Sequence, residues 1–171
     1  MKNDWVYDLE TYPNAFTIAL EHAASGSRCA WEVSEWVNES SQIIRMMDYL
    51  KATGGRMIGF NNLGFDYPVL HLLYRMRTAD AGTLYAKAQA IISSQESNRF
   101  QHQVYPSDRV VEQIDLFKIH HFDNMARSTS LKLLEFNMRL KSVKDLPFPV
   151  GSTLTRDQVV MLKEYNMHDV H

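Results

Sequence analysis

Apolar and polar positions change period several times along the chain, and the changes mark out its elements. Trp5-Val6-Tyr7 is a short β-prone run that delivers Asp8 and Glu10 at its end; residues two apart in a strand share a face, so both carboxylates can point one way. Tyr12-Pro13-Asn14 breaks the run, residues 15–20 alternate weakly as a second strand, and Ser25-Gly26-Ser27 has the composition of a hairpin turn into a third strand over 28–33. Ile43, Ile44, Met47 and Leu50 form a helical stripe that predicts a helix over 41–51, closed by Gly54-Gly55. Met57-Ile58-Gly59-Phe60 is a short apolar run bounded by Asn61-Asn62 and reads as a buried strand parallel to the first. A helix follows from about Asp66 to Met76, with Pro68 tolerated in its first turn, and another spans 84–92.

Residues 93–108 are polar and aperiodic, which predicts a loop and the most mobile part of the chain. Residues 110–117 read as a fifth strand with Asp115 late in it, 119–125 as a short helix, and 131–140 as a better one capped near Thr129 or Ser130. An irregular linker over 145–149 leads to Thr155-Arg156-Asp157-Gln158, which has capping-box spacing. It opens a last helix carrying Val159, Leu162, Tyr165 and Asp169; four apart in a helix, Tyr165 and Asp169 lie on one face. The order of elements predicts an α/β domain with a mixed sheet, antiparallel over strands 1–3 and parallel at strands 4–5, flanked by helices.

Composition narrows the class without changing that picture. A chain of 171 residues fits one domain, residues 1–171, with 45% hydrophobic and 22% charged positions. No run approaches the roughly 18 apolar residues of a membrane span, and the first residues lack the apolar stretch of a secretory signal. Cys29 is alone, which excludes an internal disulfide, fits a reducing compartment and favours a structural thiol. The net charge of −2 does not advertise a nucleic-acid binder, yet from Lys118 to Lys144 six basic residues face only Asp123 and Glu135. That stretch is either a solvated helix surface or a backbone-binding face.

Asp8 and Glu10, Asp66, and Asp169 with Tyr165 come from three distant segments, and together they suggest a two-metal phosphodiester site. Hydrolysis of a phosphodiester needs an activated water and a stabilised leaving oxyanion, and two divalent ions about 3.5–4 Å apart supply both. Hard ions such as Mg²⁺ or Mn²⁺ prefer carboxylate oxygens, so the requirement is three or four convergent acids without a histidine or cysteine cage. Taken singly, Asp-x-Glu is commonly a strand edge, Asn-x-x-Phe-Asp a helix start, and Tyr-x-x-x-Asp a solvated face. Their conjunction, in this order and context, is what carries weight.

Tyr7-Asp8-Leu9-Glu10-Thr11, Gly59-Phe60-Asn61-Asn62-Leu63-Gly64-Phe65-Asp66 and Tyr165-x-x-x-Asp169 resemble the three motifs of the DEDD 3′–5′ exonucleases. The closest resemblance is to the tyrosine subclass and the proofreading domains of phage and family B DNA polymerases, over essentially the whole chain. It implies a ribonuclease-H-like fold, two Mg²⁺ or Mn²⁺ ions, a single-stranded DNA 3′ end as partner, and the cytoplasm of a bacterium or phage host. Asp8, Glu10 and Asp169 would hold the nucleophile-side metal, Asp8 would bridge to the second, and Asp66 would hold that ion directly or through water. Tyr165 would orient the attacking water. Thr11 and Asn62 match positions that contact the 3′-terminal nucleotide, Phe65 would offer a stacking face, and Lys144, with Lys141 as the alternative, would meet phosphate. His168, adjacent to Asp169 and about 100° round the helix, is expected to point elsewhere, so it is not the base of the histidine subclass. His120 and His121 suit a surface or phosphate-facing role, and Asp115 a structural hydrogen bond.

The implied reaction is release of 5′-mononucleotides from single-stranded or frayed ends, as in proofreading. An exoribonuclease on the same fold and a catalytically silent binding module are the alternatives. Relatives of this type continue past the last helix and often run into a polymerase domain, so the chain is expected to be either the N-terminal part of a longer polymerase or a protein that ends unusually early. Asp169 is then expected to be poorly held at a fraying helix end, and a chain extended beyond His171 to be more active.

Overall fold

The computed structural model describes residues 3–98, 100–120 and 146–171. Strands β1 (Asp4–Tyr12), β2 (Ala15–His22) and β3 (Arg28–Ser34) form an antiparallel meander. Strands β4 (Arg56–Gly59) and β5 (Glu112–Asp115) lie parallel to β1, giving a five-stranded mixed sheet in the order β3-β2-β1-β4-β5. Helices α1 (Ser40–Thr53), α2 (Asp66–Met76) and α3 (Ala81–Asn98) supply the crossovers, α4 (Leu116–His120) follows β5, and α5 (Arg156–Asp169) closes the described residues. The α/β class, the antiparallel first three strands and the parallel last two are as the sequence predicts. No helix among the described residues is long and apolar enough to cross a membrane.

The pleat of β1 divides the molecule. Tyr7 and Leu9 enter the main core with Phe16, Ile18 and Leu20 of β2 and with Ile43, Met47, Leu70, Leu73 and Leu84 from the first three helices. The alternate positions, Asp8, Glu10 and Tyr12, face the other way. There Tyr12 and Ala15 form a second, smaller core with Leu154, Val159 and Leu162, the buried side of α5. Beside Ala15 on this face of β2 come Thr17 and Ala19, all three fully buried, and their small side chains let the helix lie close.

Helix α5 is fixed at several points. The predicted capping box is complete: Gln158 N donates to Thr155 Oγ1 and Thr155 N donates to Gln158 Oε1. The Asn14 side chain pairs with both backbone groups of Leu154, at 2.8 and 2.9 Å, and Tyr12 Oη donates to the Phe148 carbonyl. Arg156 Nη1 reaches the buried Glu32 at 2.8 Å and Lys163 Nζ reaches Glu39 at 3.2 Å. Beyond the helix Val170 is buried, while His171 Nδ1 approaches Glu21 and Arg28 of the β2–β3 hairpin. The fraying expected around Asp169 is therefore opposed by contacts on both sides of the last turn.

Three boundaries differ from the expected ones. Helix α3 runs to Asn98, well into the segment expected to be loop, because polar residues can extend a helix without leaving an apolar period. The fifth strand is shorter than 110–117, since the chain turns into α4 directly after Asp115. The acids lie within β1, whose pairing with β2 continues to Tyr12↔Ala15, and not at its end. The helix expected over 131–140 lies outside the described residues, as does most of the one expected over 119–125.

Candidate metal centre

Asp8 and Glu10 leave β1 on the face that α5 covers, and the last turn of α5 brings Asp169 down to them. Each acid offers one carboxylate oxygen such that all three lie within 4.8 Å of one another, and all three residues are only partly buried. Two oxygens on opposite sides of a hard cation, at about 2.1–2.4 Å each, stand roughly 4.2–4.8 Å apart, so the set can share one ion. The donors are all carboxylate oxygens, a chemistry suited to Mg²⁺ or Mn²⁺ and not to a soft metal. The residues fit the implied group.

Asp66 is the first residue of α2 and is buried. It stands outside the tight triad, yet its charge, with those of Glu10 and Asp169, adds to burial in raising the Asp8 carboxyl well above the ordinary range. Burial, with a smaller push from Asp115, raises the Asp66 carboxyl to about 7. Asp8 is thus disfavoured as an anion by burial and by three neighbouring acids, which is the electrostatic condition a divalent cation relieves. Tyr165 hydrogen-bonds to Asp169 one turn on, and burial together with that bond pushes its phenol far above its usual value. The hydroxyl stays protonated throughout the working range, donating to Asp169 and leaving its oxygen free to accept.

The loop that delivers Asp66 is tied down from below. Asn61 takes the left-handed conformation at φ +57, and a Cβ on Gly59 would stand 2.8 Å from that of Asn62, so the turn needs both residue types. Asp115 accepts the backbone N–H groups of Asn61 at 2.9 Å, Phe117 at 3.0 Å and Leu63 at 3.3 Å. It is the structural acid that the sequence suggests. Asp115→Ala should leave those donors unpaired and lower thermal stability by about 3 kcal/mol, or about 6–12 °C. A calorimetric shift under about 2 °C would remove that role.

Other expected contacts are placed differently. Asn62 is fully buried and donates to Gln113 Oε1 at 3.0 Å, alongside Tyr7 Oη at the same acceptor. Its amide nitrogen braces the sheet and loop from inside, while its Oδ1 is buried with no partner among the described residues. Thr11 lies on the opposite side of the pleat from Glu10 and is partly buried; Phe65 is partly buried against the main core. Lys144, its alternative Lys141, and His121 lie outside the described residues, as does most of the basic stretch. His168 turns back instead of away, with Nδ1 3.5 Å from Asp169 Oδ1. Cys29 is partly buried and its thiol is pushed up to about 11 by burial, in keeping with a structural residue.

Sequence reasoning missed Asn166. It is fully buried, and its Nδ2 donates to Asp8 Oδ2 at 2.8 Å. The signal was there: Asn166 sits four after Leu162 and seven after Val159, a polar residue in the buried stripe of α5. No family model matches the chain, and no match was found among curated proteins or solved structures.

Proposed function

We propose that the chain is a metal-dependent 3′–5′ exonuclease acting on single-stranded or frayed DNA ends, of the tyrosine DEDD subclass on a ribonuclease-H-like fold. The observation that carries the reading is the convergence of Asp8, Glu10 and Asp169, from the two ends of the chain, within 4.8 Å. The central β1 with antiparallel β2 and β3 on one side and parallel β4 and β5 on the other agrees with such a fold. Proofreading for a polymerase is the setting that suits it, because a mispaired terminus costs less to unpair and bring to the site.

Asp8, Glu10 and Asp169 would hold the cation, and Asp66 would complete the set. When bound, the ions supply a more acidic water and neutralise charge on the leaving oxygen. Tyr165 keeps its proton, so it orients a water by accepting a hydrogen bond from it and does not act as a base. Its hydroxyl is one hydrogen bond to charged surroundings, about 1.5–3 kcal/mol, so Tyr165→Phe should lower kcat about 10–100-fold. A loss of Mn²⁺ affinity as large as the loss of kcat would instead make Tyr165 chiefly a support for Asp169, to which it donates.

The direct test is digestion of matched DNA and RNA oligonucleotides, labelled at either end, with Mg²⁺ or Mn²⁺. Stepwise shortening of DNA from its 3′ end, abolished by a chelator, is the expected result. Preference for RNA would move the substrate class, and no digestion of either would remove the exonuclease reading.

A further inference from the structure

We propose that Asn166 is a positioning residue that presents the Asp8 carboxylate to a divalent cation. The inference rests on the metal-site reading above and deepens it. The Asn166 side chain makes one hydrogen bond among the described residues, from Nδ2 to Asp8 Oδ2 at 2.8 Å. A carboxylate that holds a cation is ionised and only accepts, so in the metal-bound state the amide nitrogen, and not its oxygen, faces Asp8, as it does here. The other end of the amide, Oδ1, is buried with no partner. Burying an acceptor without a partner is unfavourable, and an apolar side chain would fill this position in the stripe of Val159 and Leu162 without that penalty. The amide is thus retained where packing alone would favour its removal, and Asp8 is the partner it serves.

The torsion that turns an aspartate carboxyl is soft, so an unsupported Asp8 would sample many orientations. A donor held by α5 at Oδ2, together with the Leu9 backbone hydrogen bond that the carboxylate also accepts, fixes that torsion for a cation. Asn166 follows Tyr165 and precedes Asp169 by three residues, so one helical turn carries the phenol, the amide and the acid together. The hydrogen bond joins the acid of β1 to the helix that bears its partner acid, and fixes the spacing between them. Partners of this kind typically change metal affinity 10–100-fold when removed.

Calorimetric titration of the 171-residue chain with Mn²⁺, comparing Asn166→Ala and Asn166→Leu with the unaltered sequence, tests this. Circular dichroism establishes that each variant is folded. Both variants lack the donor, but one leaves a cavity and the other fills it. A rise of about 10–100-fold in the Mn²⁺ dissociation constant in both variants is the expected result. Unchanged affinity in both, or weakening in Asn166→Ala alone, would overturn the inference and make Asn166 a packing residue. If the unaltered chain itself binds no Mn²⁺, the metal reading falls and this inference with it.

Discussion

Asp8→Asn should abolish Mn²⁺-dependent digestion, by at least about 10³-fold, and at the same time raise the thermal stability of the metal-free protein at pH 8. The two effects have one cause. In the folded chain the Asp8 carboxyl is disfavoured as an anion by burial and by Asp66, Glu10 and Asp169. An amide of nearly the same shape removes that repulsion, and its oxygen still accepts from Asn166 Nδ2. It also removes an anionic oxygen from the triad, and a neutral oxygen holds a hard cation poorly. A rise of a few degrees is expected, at about 2–4 °C per kcal/mol for a chain of this size. Undiminished digestion would sink the catalytic assignment. Loss of both activity and stability would recast Asp8 as a structural residue.

The second large effect is a fall in metal-free stability between about pH 4 and pH 7. Asp66 has a folded value of about 7, against about 3.9 in an unfolded chain. Between those values the folded state binds more protons than the unfolded one, so stability is fullest at the acid side and declines as pH rises. The decline is complete once the folded carboxyl has ionised, above about pH 7. The gap corresponds to a few kcal/mol. Asp8 shifts in the same direction. Asp48 and Asp80 shift the opposite way, lowered by Tyr74 and by Thr83, so their contribution is lost only at still lower pH. Thermal melts in chelator from pH 4 to 8 should show the decline. Asp66→Asn should flatten it, and millimolar Mn²⁺ should restore stability at pH 8 far more than at pH 5. A flat metal-free profile over that range would mean that the four acids do not repel as placed.

What could be read from the sequence was local chemistry. The capping box of Thr155 and Gln158 depends on residues three apart, and the shared face of Asp8 and Glu10 on the two-residue pleat. The sheet order followed because strands joined by short turns pair with each other and strands joined through helices run parallel. Weak alternation over residues 15–20 has a physical reason: β2 is covered on both faces, so its polar side never appears. What could not be read was the inward-facing amides. Asn62 finds Gln113 at a separation of 51 residues, and Asn166 finds Asp8 at 158. Asn166 left a trace as a polar residue in the buried stripe of α5, but nothing local names the partner of either asparagine. The end of α3 was hidden for another reason, since its residues are polar and carry no apolar period.

Asp8 and Asp169 are separated by 161 positions (169 minus 8), and that separation orders events during synthesis. A ribosome adding about 5–20 residues per second makes the two halves of the acid set roughly 8–30 seconds apart. The hairpin of β1 and β2 can pair early, but a nascent chain has no triad until α5 arrives and docks. Any cation that prefers the assembled site therefore favours chains in which α5 has docked over shorter ones, and the proposed cleavage would begin only after that docking.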